Sequence, residues 1–195
     1  MAIQKPPGYD EAEIRIGGEF EQLPPGAYKC VIKRAEEVTS KTGKQMLVLE
    51  LDIAEGEYEG YFERTYNDRN KQFGTATWQG IYRQLTEGTS LPYFKGMINE
   101  IEQSNKPYKF DWDEKSLTGK RIGGVFRREQ FMGQDGTPKF AIRCQFLCDI
   151  SRVSEKARPA DKLLDNSVPP APTYSTSYES APKFEEIGND DDLPF

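Results

Sequence analysis

The chain has 195 residues, of which 36% are hydrophobic, a formal net charge of −6 and no histidine. A chain of this length can bury one sizeable core, so we expect one folded domain with tails. No stretch reaches the roughly 18 consecutive apolar residues of a membrane span, and residues 1–10 lack the apolar segment of a signal peptide. We therefore expect a cytoplasmic protein.

The cysteines and the missing histidine bear on metal binding. Cys30, Cys144 and Cys148 lie in apolar or alternating stretches, where a free thiol behaves as a small hydrophobic side chain. A structural zinc site normally needs four nitrogen or sulfur ligands. The sequence predicts buried thiols and neither a metal nor another cofactor.

The charge is divided unevenly along the chain. Residues 1–25 carry −3 and residues 159–195 carry −6, so residues 26–158 carry +3, from 22 basic and 19 acidic side chains. A mildly basic body with an acidic end is typical of a protein whose body meets phosphate and whose tail meets basic partners.

Three strands are predicted in the first half of the chain. Residues 26–35, rich in β-branched and aromatic side chains, follow a Pro-Pro break, and a polar turn at 40–44 separates them from residues 46–53, where leucines alternate with acidic residues. A third alternating stretch, 58–67, follows a Glu-Gly break. We expect these three strands to form an antiparallel meander.

The sequence pattern in the second half of the body predicts helices and then a hairpin. Apolar spacings of three and four indicate helices at 75–87, with Trp78 in the core, and at 93–103, where Phe94, Met97, Ile98 and Ile101 share a face. Strands are predicted at 119–132 and 138–150. In the second of these strands, every other residue from Phe140 to Ile150 belongs to the predicted core face. This layout predicts a mainly β fold, a five-stranded OB-type barrel with helices between strands three and four.

Periodicity ends near residue 158, where Pro, Ser, Thr and Asn take over. Such a composition cannot bury enough apolar area to offset chain entropy, so a disordered linker is predicted. The predicted organisation is an N-terminal extension (1–23), an OB domain (24–155), the linker (156–188) and an acidic tip (189–195).

The tip is the most specific motif. Asp190, Asp191, Asp192, Leu193, Pro194 and Phe195 resemble the acidic tip of bacterial single-stranded-DNA-binding proteins, in which aspartates precede an aliphatic residue, Pro and a terminal Phe. The resemblance implies a peptide that recruits replication, recombination and repair proteins. Physically, the aspartates would steer the tip to a basic patch while Phe195 fills an apolar pocket.

The body resembles the diverged single-stranded-DNA-binding proteins of phage and mobile elements, in Gly26-Ala27-Tyr28 and in residues 40–46, Ser-Lys-Thr-Gly-Lys-Gln-Met. The two resemblances together imply a protein that binds and protects single-stranded DNA without strong sequence specificity, in a bacterial cell or a phage-infected host. We also expect a small homo-oligomer, foremost a dimer, because OB domains often leave edges or faces that pair.

Binding a single strand needs cations for phosphates and aromatic faces for bases. The predicted third strand and its loop interleave both kinds, and basic residues recur in the first strand, the first turn and the last hairpin. Phe62 and Tyr66 are the predicted stacking residues, whereas Tyr61 is less favoured. The predicted DNA contacts are Lys33, Arg34, Lys41, Lys44, Phe62, Arg64, Tyr66, Arg69, Lys71, Phe73, Arg127, Arg128, Lys139 and Arg143.

Other functions are compatible with parts of the sequence. A metal-dependent nuclease would use Asp111, Asp113 and Glu114, but a solvated acidic loop explains these residues more simply, and no nucleophile elbow or phosphate-binding glycine loop is present. We therefore expect no enzymatic activity. A strand-annealing recombination protein, or an adaptor that displays the tip without binding DNA, are the remaining alternatives.

Overall fold

The computed structural model describes residues 4–10 and 22–164. Five antiparallel strands form one sheet in the order β3-β2-β1-β4-β5. Helix α1 lies between β2 and β3, and α2 lies between β3 and β4. The elements are β1 (Gly26–Thr39), β2 (Gln45–Ile53), α1 (Tyr61–Phe73), β3 (Ile81–Leu85), α2 (Leu91–Ser104), β4 (Arg121–Met132) and β5 (Pro138–Cys148), with short 3₁₀ turns at Gly88–Ser90, Glu114–Leu117 and Ile150–Glu155.

The mainly β fold with five strands is confirmed, but the prediction that these strands form a barrel is wrong. The edge strands β3 and β5 approach each other, with Cα atoms within 8 Å, yet no ladder of backbone hydrogen bonds joins them. Tyr82 of β3 and Cys144 of β5 both pack against the core, so side chains fill the space between the two edges. The sheet is therefore open.

The expectation of a small homo-oligomer, foremost a dimer, stays a prediction.

The predicted third strand is instead helix α1. Asp52, a residue of β2 that is 2% exposed, accepts hydrogen bonds from the backbone N–H groups of Ile53 and Phe62, both at 2.9 Å. Phe62 is in the first turn of α1, whose N–H groups have no partner within the helix. Burial raises the pKa of Asp52, and these backbone hydrogen bonds oppose the rise. A carboxylate distant in sequence thus caps the helix.

Residues 75–87 are not the predicted helix, because they meet β2. Ile81–Leu85 forms β3, whose Tyr82 pairs with Leu49 of β2. Just before it, the Gly80 carbonyl accepts the Leu51 N–H at 2.6 Å, and the Trp78 indole donates to the Leu51 carbonyl at 2.9 Å. Trp78 is partly buried against the core, as predicted.

The core lies between one face of the sheet and the helices. Phe62 of α1 and Phe126 of β4 are at its centre, with ring centroids 5.5 Å apart. Helix α2 adds Phe94, Met97 and Ile101, which confirms the predicted face of that helix. Full burial of each such side chain contributes roughly 1.5–3 kcal/mol. The other large, fully buried residues of this core are Leu23, Ile32, Leu49, Leu51, Ile53, Ile101, Leu117 and Ile122.

The opposite face of the sheet is covered at one place by the turn Ile150–Glu155. A Cβ on Gly123 of β4 would lie 2.6 Å from Val153 Cγ2 and 2.7 Å from Cys148 Sγ. Only glycine leaves room for this turn to pack on the strand. Cys148, 3% exposed, and the fully buried Cys30 confirm the prediction for these two thiols, while Cys144 is partly exposed by surface area.

Candidate nucleic-acid interface

Strands β4 and β5 form a ribbon that extends beyond β1. The pairing of β1 with β4 ends at Gly26 and Phe126, whereas β4 and β5 remain paired as far as Met132 and Pro138. Residues 127–132 and 138–143 therefore extend past the end of β1, while Ile142 still packs against the core. Cationic side chains on such a projection can reach an extended ligand without competing with the core.

A β-bulge decides which side chains of β5 face outward. Cys144 pairs with Phe126 and Phe146 pairs with Val125, so Gln145 is an extra residue between the two pairs. One extra residue moves the following side chains to the opposite face. Leu147 accordingly joins the core, and Phe146 is 38% exposed. The prediction that Phe146 shares the core face is wrong for this reason.

The outward face of the ribbon combines cations with aromatic rings. Arg127 and Arg143 are cross-strand partners on this face, and Phe131 pairs with Lys139 nearer the tip. Phe131 is 42% exposed, and Lys156 Nζ lies 5.8 Å from the ring centroid of Phe146. We call this set, Arg127, Phe131, Lys139, Arg143, Phe146 and Lys156, the ribbon face.

The spacing and ion pairs of the ribbon face suit an extended anionic chain. Phe131 and Val125, the partner of Phe146, are about 20 Å apart along β4 at roughly 3.4 Å per residue. Arg127 pairs with Glu129 at 2.7 Å and Lys139 with Asp135 at 2.9 Å. The pair of Lys139 is about half exposed, and such a pair contributes only about 0–1 kcal/mol, so Lys139 can exchange its carboxylate for a phosphate at little cost. The pair of Arg127 is more buried, with side chains 24% and 28% exposed, so the exchange costs more there.

The predicted contacts at 58–73 are on helix α1 and not on a strand. Phe62 is 2% exposed, so the prediction that it stacks on a base is wrong for this fold. Tyr66 is partly buried, with its ring centroid 5.7 Å from that of Trp78. Arg64 donates to the carbonyl of Glu59. The other three predicted contacts, Arg69, Lys71 and Phe73, follow on the same helix, where Phe73 is 62% exposed.

The predicted contacts of β1 and its turn lie away from the ribbon. Lys33 pairs with Glu63 of α1 at 3.1 Å, and Arg34 pairs with Glu36 at 2.8 Å. Lys41 and Lys44 are exposed in the turn after Thr39. That turn follows the end of β1 opposite to Gly26, where the ribbon projects. The structure therefore does not bring all predicted cations to one surface.

Arg128 has a different environment from Arg127. It lies on the inward face of the ribbon, 4.5 Å over the ring of Phe140, and pairs with Asp161. Residues 161–164, which we call the strap, run along β4: Gln130 N–H donates to the Lys162 carbonyl at 2.8 Å, and Lys162 N–H donates to the Arg128 carbonyl at 2.9 Å. The geometry assigns Arg128 to holding the strap.

A family model matches the first part of the described structure. Residues 8–82 match the model of a family described as "Protein of unknown function (DUF669)". No curated protein matches the chain. The match spans β1, β2, α1 and the first residues of β3, and it ends before the ribbon. Because the description assigns no function, the likeness to single-stranded-DNA-binding proteins rests on sequence motifs.

The acidic loop considered for a nuclease has local contacts. Asp111 accepts a hydrogen bond from Ser116 Oγ at 2.6 Å, which helps to hold the pKa of Asp111 below its ordinary value, and Asp113 accepts the Lys115 N–H at 3.0 Å. Within 4–10 and 22–164, no group of three or more His, Cys, Asp or Glu side chains could hold a metal ion. In the same ranges no helix is long and apolar enough to cross a membrane.

Three members of the ribbon face were not predicted from the sequence: Phe131, Phe146 and Lys156. Phe131 carried a usable signal, since it alternates with Arg127 and Glu129 on the outward side of a predicted strand. Phe146 and Lys156 depend on the bulge and on the turn Ile150–Glu155, neither of which has a sequence signature here. The predicted tip, Asp190 to Phe195, and most of the predicted linker lie outside the described residues.

Proposed function

We propose that the ribbon face binds single-stranded DNA without strong sequence specificity, in replication, recombination and repair. The observation that carries the proposal is the interleaving of Arg127, Arg143 and Lys139 with Phe131 and Phe146 on one exposed face. Sequence-independent binding of a single strand combines cations along the backbone with aromatic rings under the bases, each stack contributing roughly 1–3 kcal/mol.

An open OB-type sheet is part of this proposal. In support, β1 pairs with both β2 and β4, and α2 connects β3 to β4. The OB fold is a five-stranded and partly open arrangement that commonly binds oligonucleotides. The first turn, with Lys41 and Lys44, would then contribute at the far end of the sheet.

Titration of a fluorescent oligonucleotide tests the proposal on the full chain. With four cations on the ribbon face, the slope of log K against log salt should be about −3, at −0.7 per phosphate contacted in a single strand. Phe131→Ala and Phe146→Ala should each weaken binding about 5- to 150-fold, the equivalent of one lost stack. A duplex of the same sequence should compete poorly.

Matched controls come from helix α1. Phe73→Ala and Lys71→Ala change a cation and an aromatic residue, more exposed than Phe131 and Phe146, that the sequence also predicts as contacts. On our proposal they change affinity less than twofold. If they weaken binding and the ribbon variants do not, the interface is on α1 and the ribbon proposal fails.

Recruitment of other proteins by Asp190 to Phe195 is a second part of the proposal, supported by the sequence motif. Phe195→Ala should abolish capture of replication and repair proteins while leaving DNA affinity unchanged, since the aromatic residue is the expected anchor. Retention of the same captured proteins by the variant would refute recruitment and leave DNA binding untouched.

A further inference from the structure

A pocket of about 560 Å³, open to solvent, lies on the same side of the sheet as the ribbon face. Lys29 of β1 and Arg121 of β4 line it, together with Glu55 from the connection after β2. Ser151, Val153 and Ser154 of the turn Ile150–Glu155 also line it, as does Ser104 at the end of α2. Ligand sites commonly have volumes of roughly 300–1,000 Å³.

The charges in the pocket do not balance. Both cations converge on one carboxylate: Lys29 Nζ contacts Glu55 Oε1, and Arg121 Nη1 lies 3.7 Å from Glu55 Oε2. The three side chains are 42–55% exposed, so the pairs are held weakly. Lys29 and Arg121 hold the pKa of Glu55 below its ordinary value. The side chains that line the pocket therefore have a net positive charge, and another anion can replace the Glu55 carboxylate between Lys29 and Arg121.

The hydroxyls of the pocket suit an oxyanion. Ser151 and Ser154 are exposed and line the same pocket as the two cations. Lys, Arg and Ser donors are the groups that bind phosphate oxygens, and hydrogen bonds between ionised partners are about twice as strong as neutral ones. A phosphate with two negative charges would match Lys29 and Arg121 better than the single charge of Glu55 does.

The register relates the pocket to the ribbon face. Arg121 and Arg127 are on the same side of β4, about 20 Å apart along the strand. Between them, Val153 lies over Gly123 and lines the pocket on the side nearest the ribbon face. A chain that passes over Val153 reaches Lys29 and Arg121. There it meets the end of α2 and the connection after β2, which also line the pocket, so the site suits a chain end better than a chain that continues.

We propose that this pocket binds the terminal phosphate of a DNA strand whose next nucleotides lie along the ribbon face. The inference rests on the proposed function. The phosphate displaces the Glu55 carboxylate from Lys29 and Arg121 and accepts hydrogen bonds from Ser151 and Ser154. The protein thereby distinguishes a phosphorylated strand end from a hydroxyl end.

The test compares one oligonucleotide with a 5′-phosphate, a 3′-phosphate or two hydroxyl ends, titrated by fluorescence anisotropy against the full chain. One phosphorylated end should raise affinity about tenfold, the contribution of one charge-assisted contact. Glu55→Gln should enlarge this preference, because the competing charge is gone. Lys29→Met combined with Arg121→Met should remove the preference and keep most of the affinity for the hydroxyl-ended strand.

A matched control is Lys109→Met, which removes an exposed cation that pairs with Glu102 and does not line the pocket. It should leave the end preference unchanged. Urea denaturation of every variant confirms that it is folded. Inorganic phosphate, titrated into the end-phosphorylated complex, should reduce the preference to that of the hydroxyl-ended strand.

The outcomes separate this inference from the proposed function. If the hydroxyl-ended strand binds and no phosphorylated end binds more tightly, the inference is wrong and DNA binding stands. If inorganic phosphate binds to the pocket but neither strand end is preferred, the pocket binds free phosphate and the inference is again wrong. If no oligonucleotide binds, the proposed function fails first. A loss of the preference in Glu55→Gln would overturn the displacement step.

Discussion

Replacing Gly80 by alanine tests the fold at the point where sequence and structure disagree. A Cβ at this position would lie 2.3 Å from the Leu51 carbonyl oxygen and 2.6 Å from Phe62 Cδ2. The oxygen belongs to the backbone of a buried strand, so it cannot move aside cheaply. Overpacking of a core costs about 1–3 kcal/mol or more, and disturbing the bond from Leu51 N–H to the Gly80 carbonyl costs about 1 kcal/mol.

Gly80→Ala should therefore lower the free energy of unfolding by about 3 kcal/mol, measured by urea denaturation followed by circular dichroism. Gly96→Ala is the matched control: Gly96 is inside α2 with nothing within 4 Å of the added Cβ, so helix propensity should stabilise the protein by up to about 1 kcal/mol. If residues 75–87 were the helix that their apolar spacing predicts, both substitutions would stabilise. A Gly80→Ala protein as stable as the wild type would refute the placement of β3.

Two further predictions concern charged groups. Burial raises the pKa of Asp52 above its ordinary 3.8, so ionisation of this carboxyl opposes folding. The neutral carboxyl contributes its full stabilisation below pH 3.8. This contribution is lost as the pH rises through the pKa that Asp52 has in the folded protein. Urea midpoints between about pH 3.5 and 7 should therefore shift in favour of Asp52→Asn as the pH rises, and a flat or reversed difference would contradict the burial effect. Asp161→Asn weakens the ion pair that joins the strap to Arg128. Because the Arg128 side chain is 40% exposed, the substitution should lower the free energy of unfolding by no more than about 1 kcal/mol. Hydrogen exchange at the amides of Gln130 and Lys162 should become faster, and unchanged exchange would show that the backbone bonds alone hold the strap.

Much of the sheet could be predicted from local patterns. Alternation predicted β2 and β5, β-branched and aromatic content predicted β1, and β4 was predicted as the first arm of the last hairpin. The apolar stripe of α2 predicted its buried face, because this face lies on the core. In β2, for example, Leu47, Leu49 and Leu51 are buried at every second position. The spacing of apolar residues alone is sufficient to predict an element when only one of its faces contacts the core.

Two errors of secondary structure come from contacts outside the local sequence, and a third error comes from a local irregularity. The helical conformation of residues 61–73 depends on the Asp52 carboxylate, and the extended conformation of residues 81–85 depends on pairing with β2. The candidate interface was predicted in part: Arg127, Lys139 and Arg143 were identified, but the bulge at Gln145 hid Phe146. A one-residue irregularity leaves no mark in the composition of a strand.

Gly123 and Gly124 have a consequence for recognising relatives of this protein. A Cβ on Gly123 would meet the covering turn, and a Cβ on Gly124 would lie 2.8 Å from the Phe126 ring and 3.0 Å from Cys30 Sγ on the other face. Packing from both sides therefore excludes larger side chains at two successive positions of β4. The pair lies beyond residues 8–82, the region that the family model covers. A Gly-Gly pair followed two residues later by an aromatic is thus an independent criterion for deciding which distant sequences share the whole sheet.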